Sequence, residues 1–285
     1  MTQNGRKPPI FPAVPTIPRI FPPLQPLSST YIRPRQLDDA RRVLEAAGFV
    51  RTHSALFQET WDHDTGMGFI HTIDLHWEVF NTPGLTRDLL VEECLERSVP
   101  LPRFAPGARA EDLVSLLLHG FVNQAWHRHH GTFVDDRLVL GGARLIWAWD
   151  THLGARELSE AQWDELLALS LQRGTGPLTR DALALAAQAF GTPVPERVSQ
   201  ALQALPDETP ASRLVRKRDV IEDFRVSFFE IPGWAARLRY LSLHVLPDGA
   251  TLRQKYPAAA GWPLPLLHLR RMLGLVRLVA GRIRR

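Results

Sequence analysis

Residues 70–79 read I-H-T-I-D-L-H-W-E-V, and from Thr72 onward polar and apolar residues alternate. Successive side chains of a β-strand point to opposite faces, so this pattern predicts a strand with one apolar and one polar face. The polar face would carry Thr72, Asp74, His76 and Glu78, and the apolar face would carry Ile73, Leu75, Trp77 and Val79. Pattern alone favours a half-exposed strand packed on a core, but the same polar row could line a functional cleft.

The neighbouring residues complete a small mixed α/β unit. Apolar residues recur at intervals of three and four after Gln36, which predicts a helix that ends at Gly48. Residues 55–61 predict a strand, and residues 62–68 predict the turn into a second strand at 69–80. After Pro83 the pattern is mostly helical, with helices predicted at 87–97, 111–130, 159–173, 179–190, 194–205, 213–230, 234–246 and 264–283.

The start of the chain has a different composition. Positions 7–34 contain nine prolines, which lack the backbone donors that helices and sheets require. This density predicts an extended, poorly ordered leader.

Length and composition are those of a soluble protein with a core. The 285 residues are 45% apolar and 22% charged, which suits one large or two ordinary domains. The single cysteine, Cys94, excludes an internal disulfide and fits a reducing compartment. Neither a run of 18 apolar residues nor a secretory signal is present, so we expect a cytoplasmic location.

The net charge of +4 is concentrated at the C-terminal end. Residues 268–285 contain no acid and six arginines, namely Arg270, Arg271, Arg277, Arg282, Arg284 and Arg285. The rest of the chain is close to neutral, which makes a nucleic-acid partner unlikely. The basic, amphipathic helix at 264–283 could bind an anionic membrane surface or a protein partner, or pack on its own domain.

Familiar catalytic motifs do not occur. The sequence contains no H-E-x-x-H, no G-x-S-x-G and no glycine-rich loop for phosphates or dinucleotides. Four histidines lie along the helix at 111–130, but a zinc site needs three or four converging ligands. Cys94 lies in an amphipathic helix with no evident base beside it.

A family resemblance gives the polar row a function. The string Ile73-Asp74-Leu75-His76-Trp77, which follows a helix ending A-A-G-F, resembles the D-L-H-W signature of the uncharacterised bacterial nucleotidyltransferase family. Further segments resemble family motifs in the same order, from about Tyr31 to the end of the chain. They are 112–120 (D-L-V-S-L-L-L-H-G), 144–150 (R-L-I-W-A-W-D) with Trp163-Asp164, 191–195 (G-T-P-V-P) and 252–256 (L-R-Q-K-Y).

The resemblance implies a two-metal reaction in which a nucleoside triphosphate (NTP) donates a nucleotide to an acceptor that the sequence does not identify. In that fold a Gly-Ser turn holds the triphosphate, and an Asp-x-Asp pair plus a third carboxylate hold Mg²⁺. Asp74 matches the third carboxylate, with His76 and Glu78 as candidate neighbours. Alignment on Pro34 places Ser28 and Thr30 where the two aspartates belong, and the Gly-Ser turn is missing.

The resemblance therefore predicts an α+β fold. Residues 1–30 would form the leader, residues 31–83 a partial nucleotidyltransferase-like unit, and residues 84–285 an all-helical domain. We expect impaired or absent activity, because hydroxyl groups replace carboxylates poorly at Mg²⁺. Either the chain is a degenerate family member, or its N-terminus derives from an altered reading frame. The alternative function is a non-catalytic adaptor that acts through the basic helix.

Overall fold

The sheet lies at the start of the structured chain. The computed structural model describes residues 27–85, 90–103, 105–134, 137–139, 141, 144–216, 220–231, 233–247 and 249–283. Four strands form the sheet, in the order β1-β4-β3-β2. They are β1 (Leu27–Tyr31), β2 (Val50–Ser54), β3 (Gln58–Asp64) and β4 (Ile70–His76). Strands β2, β3 and β4 pair antiparallel, whereas β1 pairs parallel with β4.

Local sequence explains the connections within this unit. The helix α1 (Leu37–Ala46) follows β1 and belongs to the long crossover that a parallel strand pair requires. It ends just before Gly48, whose φ of 84° is in the left-handed region. The β3–β4 turn uses Gly66 and Gly68, which also have positive φ. The helix end is therefore where the sequence predicts it, whereas the turn is shorter than the predicted 62–68, because residues 62–64 belong to β3.

The strands differ in their bounds from the prediction. The strand predicted at 55–61 lies three residues later, at 58–64, because residues 55–57 form the turn between β2 and β3. The predicted strand at 69–80 ends at His76. Trp77 and Val79 are nevertheless buried beyond its end. The chain thus leaves the sheet directly into the core of the helical part.

The helical part follows. Its helices are α2 (Val91–Arg97), α3 (Leu113–His130), α4 (Leu145–Glu157), α5 (Glu160–Gln172), α6 (Gly176–Phe190), α7 (Glu196–Gln203), α8 (Pro210–Arg216), α9 (Val220–Glu230), α10 (Trp234–Val245), α11 (Gly249–Lys255) and α12 (Leu264–Ile283). Two short antiparallel pairs lie between helices, β5 (Val99–Pro100) with β6 (Arg109–Ala110), and β7 (Thr132–Val134) with β8 (Arg137–Val139). No described helix is both long and apolar enough to cross a membrane.

One main core joins the two parts. Val79 and Phe80, which follow β4, are buried with residues of α2 through α8. The helix α3 lies at the centre of this core, where Val114, Leu118 and Phe121 are almost fully buried. Smaller clusters lie farther along the chain, around Ile231 with Tyr240 and around Leu252 with Leu267.

The predicted α+β fold class is confirmed, with a small mixed sheet followed by helices. Of the predicted leader, residues 1–26 lie outside the described residues, while residues 27–30 belong to β1. The helix predicted at 213–230 is present as α8 and α9. The helix α11 lies between the helices predicted at 234–246 and 264–283, where the sequence predicts none.

Candidate active site

The strand β4 places its side chains on two different faces of the sheet. It lies between β1 and β3, so it is hydrogen bonded along both edges. On one face Leu75 is buried, and the neighbouring strand adds Trp61 and Glu59. The helix α1 contacts this face through Arg41, which donates two hydrogen bonds to Glu59, at 2.6 and 3.1 Å. The apolar face expected from the alternation is therefore confirmed for Leu75.

Asp74 lies on the opposite face and is half-buried. Thr60, its partner on β3, donates a hydrogen bond from its hydroxyl to Asp74 Oδ1 at 2.7 Å. Two register positions away, on the same face, Thr72 donates to Asp62 over the same distance. A carboxylate has about four lone-pair sites, so the bond from Thr60 leaves Asp74 able to accept further bonds. Asp74 is thus held in a polar row and remains a candidate ligand.

The register of β1 decides which residues face Asp74. Its Cα partner on β1 is Ser29, whereas Ser28 and Thr30 pair with Ile73 and Leu75. Paired residues of adjacent strands share a face, and here the ring of Tyr31 lies 5.7 Å from the ring of its partner His76. The roles assigned to Ser28 and Thr30 stay a prediction. The strand ladder, however, brings Ser29 to the carboxylate.

His76 and Glu78 occupy different surroundings from Asp74. Burial lowers the pKa of His76, and its Nδ1 is buried without a hydrogen-bond partner among the described residues. Glu78 follows the end of β4 and is half-buried. Burial, together with the nearby Glu92, raises the pKa of Glu78 to about 7. At neutral pH Glu78 is therefore only partly ionised, and His76 is mostly neutral.

Sequence analysis missed a buried polar cluster at the end of β1 and β4. The hydroxyl of Tyr31 lies 3.1 Å from Nδ1 of His119 on α3. The same nitrogen lies 3.5 Å from Glu111, whose other carboxylate oxygen is buried without a partner among the described residues. Cys94 lies beside Glu111. Burial raises the pKa of Tyr31, so its hydroxyl remains protonated. These residues are distant in sequence, and no local pattern connects them.

A second missed cluster is ionic. Glu59 is only 1% exposed, and it accepts hydrogen bonds from both Arg41 and Arg51. Burial disfavours its charged form, but the two arginines outweigh burial and lower the pKa of Glu59. The sequence contains a signal for this cluster. Glu59 lies two residues before Trp61, so both side chains share one face of the strand predicted at 55–61.

The donor set does not fit the two magnesium ions that the resemblance implies. A two-metal site needs several carboxylate oxygens, because Mg²⁺ prefers octahedral coordination by hard oxygen ligands. Asp74 supplies one carboxylate, and its neighbour on β1 is the neutral Ser29. Within the described ranges, no group of three or more His, Cys, Asp or Glu residues could hold a metal ion.

Two of the six C-terminal arginines, Arg270 and Arg271, have described contacts. The guanidinium of Arg270 lies over the rings of Tyr256, at 5.1 Å, and Trp262, at 5.6 Å. Arg271 donates a hydrogen bond of 3.0 Å to the carbonyl of His244. Arg277 and Arg282 belong to α12. Arg284 and Arg285 lie outside the described residues.

Comparison with known families shows what the residues around Asp74 resemble. A family model described as an uncharacterised nucleotidyltransferase matches residues 30–191, which include β4 and Asp74. The segment at 252–256 lies beyond the match. None of the curated proteins and none of the solved structures matches the chain. Because the match covers more than half of the 285 residues, the chain belongs to the uncharacterised nucleotidyltransferase family.

Proposed function

We propose that this chain keeps the nucleotidyltransferase-like fold but transfers nucleotides weakly or not at all, as a pseudoenzyme would. The observation that carries the proposal is the β1–β4 register, in which Ser29 lies opposite Asp74. The resemblance calls for carboxylates on both of these strands. Here β4 contributes its acid, and β1 contributes a hydroxyl at the paired position.

The chemistry of the two groups explains the expected loss. A carboxylate offers Mg²⁺ a full negative charge, whereas the serine hydroxyl is a neutral ligand. Two Mg²⁺ ions would each need charged oxygen ligands, so their binding would depend on the number of carboxylates that the site supplies. Asp74 alone cannot supply that charge. It remains the residue that we assign to metal contact, if any metal binds.

Two neighbours, His76 and Glu78, do not replace the missing charge. Glu78 has a pKa of about 7, so it is only partly ionised at neutral pH. The pKa of His76 is lowered by burial, so it adds neither a negative charge nor a positive charge that could bind phosphate. Both residues could still contact a nucleotide through neutral hydrogen bonds.

Calorimetry and product analysis test the proposal together. We expect titration of ATP into the full chain to show no gain in affinity when Mg²⁺ is added. We also expect no pyrophosphate release from ATP, with Mg²⁺ or Mn²⁺, above the level of the Asp74→Asn variant. Micromolar, Mg²⁺-dependent ATP binding that Asp74→Asn abolishes would contradict the proposal. ATP binding that is independent of Mg²⁺ would identify the site around Asp74 as a nucleotide-binding site without transfer.

A further inference from the structure

We propose that the C-terminal helix α12 lies flat on an anionic lipid surface, with its apolar side in the lipid interface. This inference concerns a part of the chain beyond the family match, which ends at residue 191. It therefore does not depend on whether the site around Asp74 is active.

The first observation is an apolar stripe on α12 that the described part of the chain does not cover. The α12 stripe consists of Leu266, Leu269, Leu273 and Val276, which recur at intervals of three and four and so share one side of the helix. Leu269, Leu273 and Val276 are 55%, 51% and 60% exposed. Single exposed leucines are ordinary on a protein surface, but a continuous row along a helix marks an interaction site.

The second observation is that α12 is attached through its other side. Leu267, which points away from the α12 stripe, is fully buried with Leu252 and Ala259. Arg271 ties the helix to the carbonyl of His244 at the end of α10. An amphipathic helix commonly packs its apolar side on its own domain. Here that contact is made by Leu267, and the α12 stripe is left facing outward.

The third observation is a strong segregation of charge. Residues 231–285 contain ten lysines and arginines and a single acid, Asp248, for a net charge of +9. The preceding 230 residues contain 24 basic and 29 acidic residues, for a net charge of −5. The apolar stripe therefore lies in a strongly basic segment of a protein that is otherwise acidic.

This combination selects an anionic bilayer among the candidate partners. A second copy of the chain would bring two segments of +9 together, which like-charge repulsion opposes. A nucleic acid would satisfy the charge but would leave the apolar stripe in water. A bilayer with anionic head groups satisfies both, because apolar side chains enter the interface while arginines remain at the phosphates. Trp262, half-exposed against Arg270, adds an aromatic residue of the type enriched at this depth.

Vesicle flotation of the full chain tests the proposal. We expect at least about tenfold stronger binding to phosphatidylcholine vesicles with about one third phosphatidylglycerol than to pure phosphatidylcholine, and weaker binding as salt rises. Leu273→Glu with Val276→Glu should reduce that binding by about tenfold or more, because both residues would leave the interface. The matched control is Val43→Glu with Leu116→Glu, which makes the same charge change at exposed apolar positions on α1 and α3.

A fluorescent label gives a second readout that does not depend on the glutamate variants. Cys94 is buried and burial raises the pKa of its thiol to about 12, so at neutral pH it reacts slowly with alkylating dyes. A Val276→Cys variant can therefore be labelled selectively with an environment-sensitive dye, and Val43→Cys provides the control. We expect anionic vesicles to shift the emission of the label at 276 to shorter wavelength and to leave the label at 43 unchanged.

Three results would overturn the proposal. One is equal binding to neutral and anionic vesicles, or binding to neither. Another is equal binding by the α12 variant and its control. The third is an unshifted label at position 276. Any of these would leave a protein partner as the ligand of the α12 stripe.

Discussion

Replacement of Ser29 by aspartate should create a divalent-metal site beside Asp74. Ser29 is the Cα partner of Asp74, so the new side chain would lie on the same face as that carboxylate. Two carboxylates on adjacent strands provide the charged oxygens that Mg²⁺ or Mn²⁺ prefers. Without metal, we expect the variant to be less stable than the natural chain. Added metal should restore the stability of the variant.

The magnitudes follow from the strand spacing. Adjacent strands are about 4.8 Å apart, so the two carboxylates would lie at about 5 Å. At an effective dielectric constant of about 20, two unit charges at this distance repel by about 3 kcal/mol. Asp74 is half-buried and Ser29 is exposed, so solvent lowers the loss of stability to about 1 kcal/mol. A metal ion present at about 100 times its dissociation constant would return about 2.7 kcal/mol. At about 2.1 cal/mol/K per residue, a chain of 285 residues has an unfolding entropy of about 0.6 kcal/mol/K, so the melting temperature would rise by about 4–5 °C.

The assay is thermal unfolding in EDTA, in Mg²⁺ and in Mn²⁺, followed by circular dichroism. The natural chain, Ser29→Asp, Thr30→Asp and the double variant Ser29→Asp with Asp74→Asn are compared. Thr30 is exposed and pairs with Leu75, so its substitution adds the same charge at a position that does not face Asp74. We expect a metal-dependent rise for Ser29→Asp alone.

Two results would refute the reasoning. An equal metal-dependent rise for Thr30→Asp would mean that the register does not decide the site and would favour the alignment on Pro34. A rise that persists in the double variant would mean that Asp74 is not the partner carboxylate. Either result would also remove the observation on which the proposed loss of activity depends.

Three further predictions concern stability, each measured by urea unfolding. Glu59→Gln should lower the free energy of unfolding by about 2 kcal/mol at pH 7, because it removes charged hydrogen bonds from Arg41. The folded-state pKa of Glu59 lies below its ordinary value of 4.5, so its contribution is present above that pH and is lost as pH falls through the lowered pKa. Glu78→Gln should stabilise the chain by about 1 kcal/mol at pH 8 and have little effect at pH 4. The folded-state pKa of Glu78 is raised, which favours folding at low pH, and this contribution is lost as the pH rises through about 7. Asp112→Ala should cost about 3 kcal/mol, because Asp112 caps α3 and binds Arg97.

Features that depend on neighbouring residues could be predicted from the sequence. The alternation in β4 identified Leu75 as buried and Asp74 as lying on the opposite face. The recurrence of apolar residues at intervals of three and four predicted α1, and Gly48 predicted its end. The bounds of α12 agree with the predicted helix at 264–283, because a long amphipathic pattern is a strong local signal.

Features that depend on distant contacts could not be predicted. The strand β1 is five residues long and directly follows Pro26, so its own sequence gives a weak signal. Its register with β4 is set by a ladder that joins residues about 45 positions apart. Alignment on Pro34 counts along the chain and cannot detect that ladder. Leu116 on α3 shows the same limit. It is apolar and follows Leu113 by three residues, a spacing typical of a buried helix side, but about half of it is exposed.

A serine at the position paired with Asp74 need not weaken the fold. The β1–β4 pairing rests on backbone hydrogen bonds, which serine and threonine form as well as aspartate does. On the face opposite Asp74, Leu75 and Trp61 are buried and Glu59 binds Arg41, so the packing of that face does not depend on a metal ligand. Three carboxylates in one site would repel one another when no cation is bound, and a serine at position 29 avoids part of this repulsion. If the chain is inactive, as we propose, Asp74 can therefore lie beside Ser29 at no cost in stability.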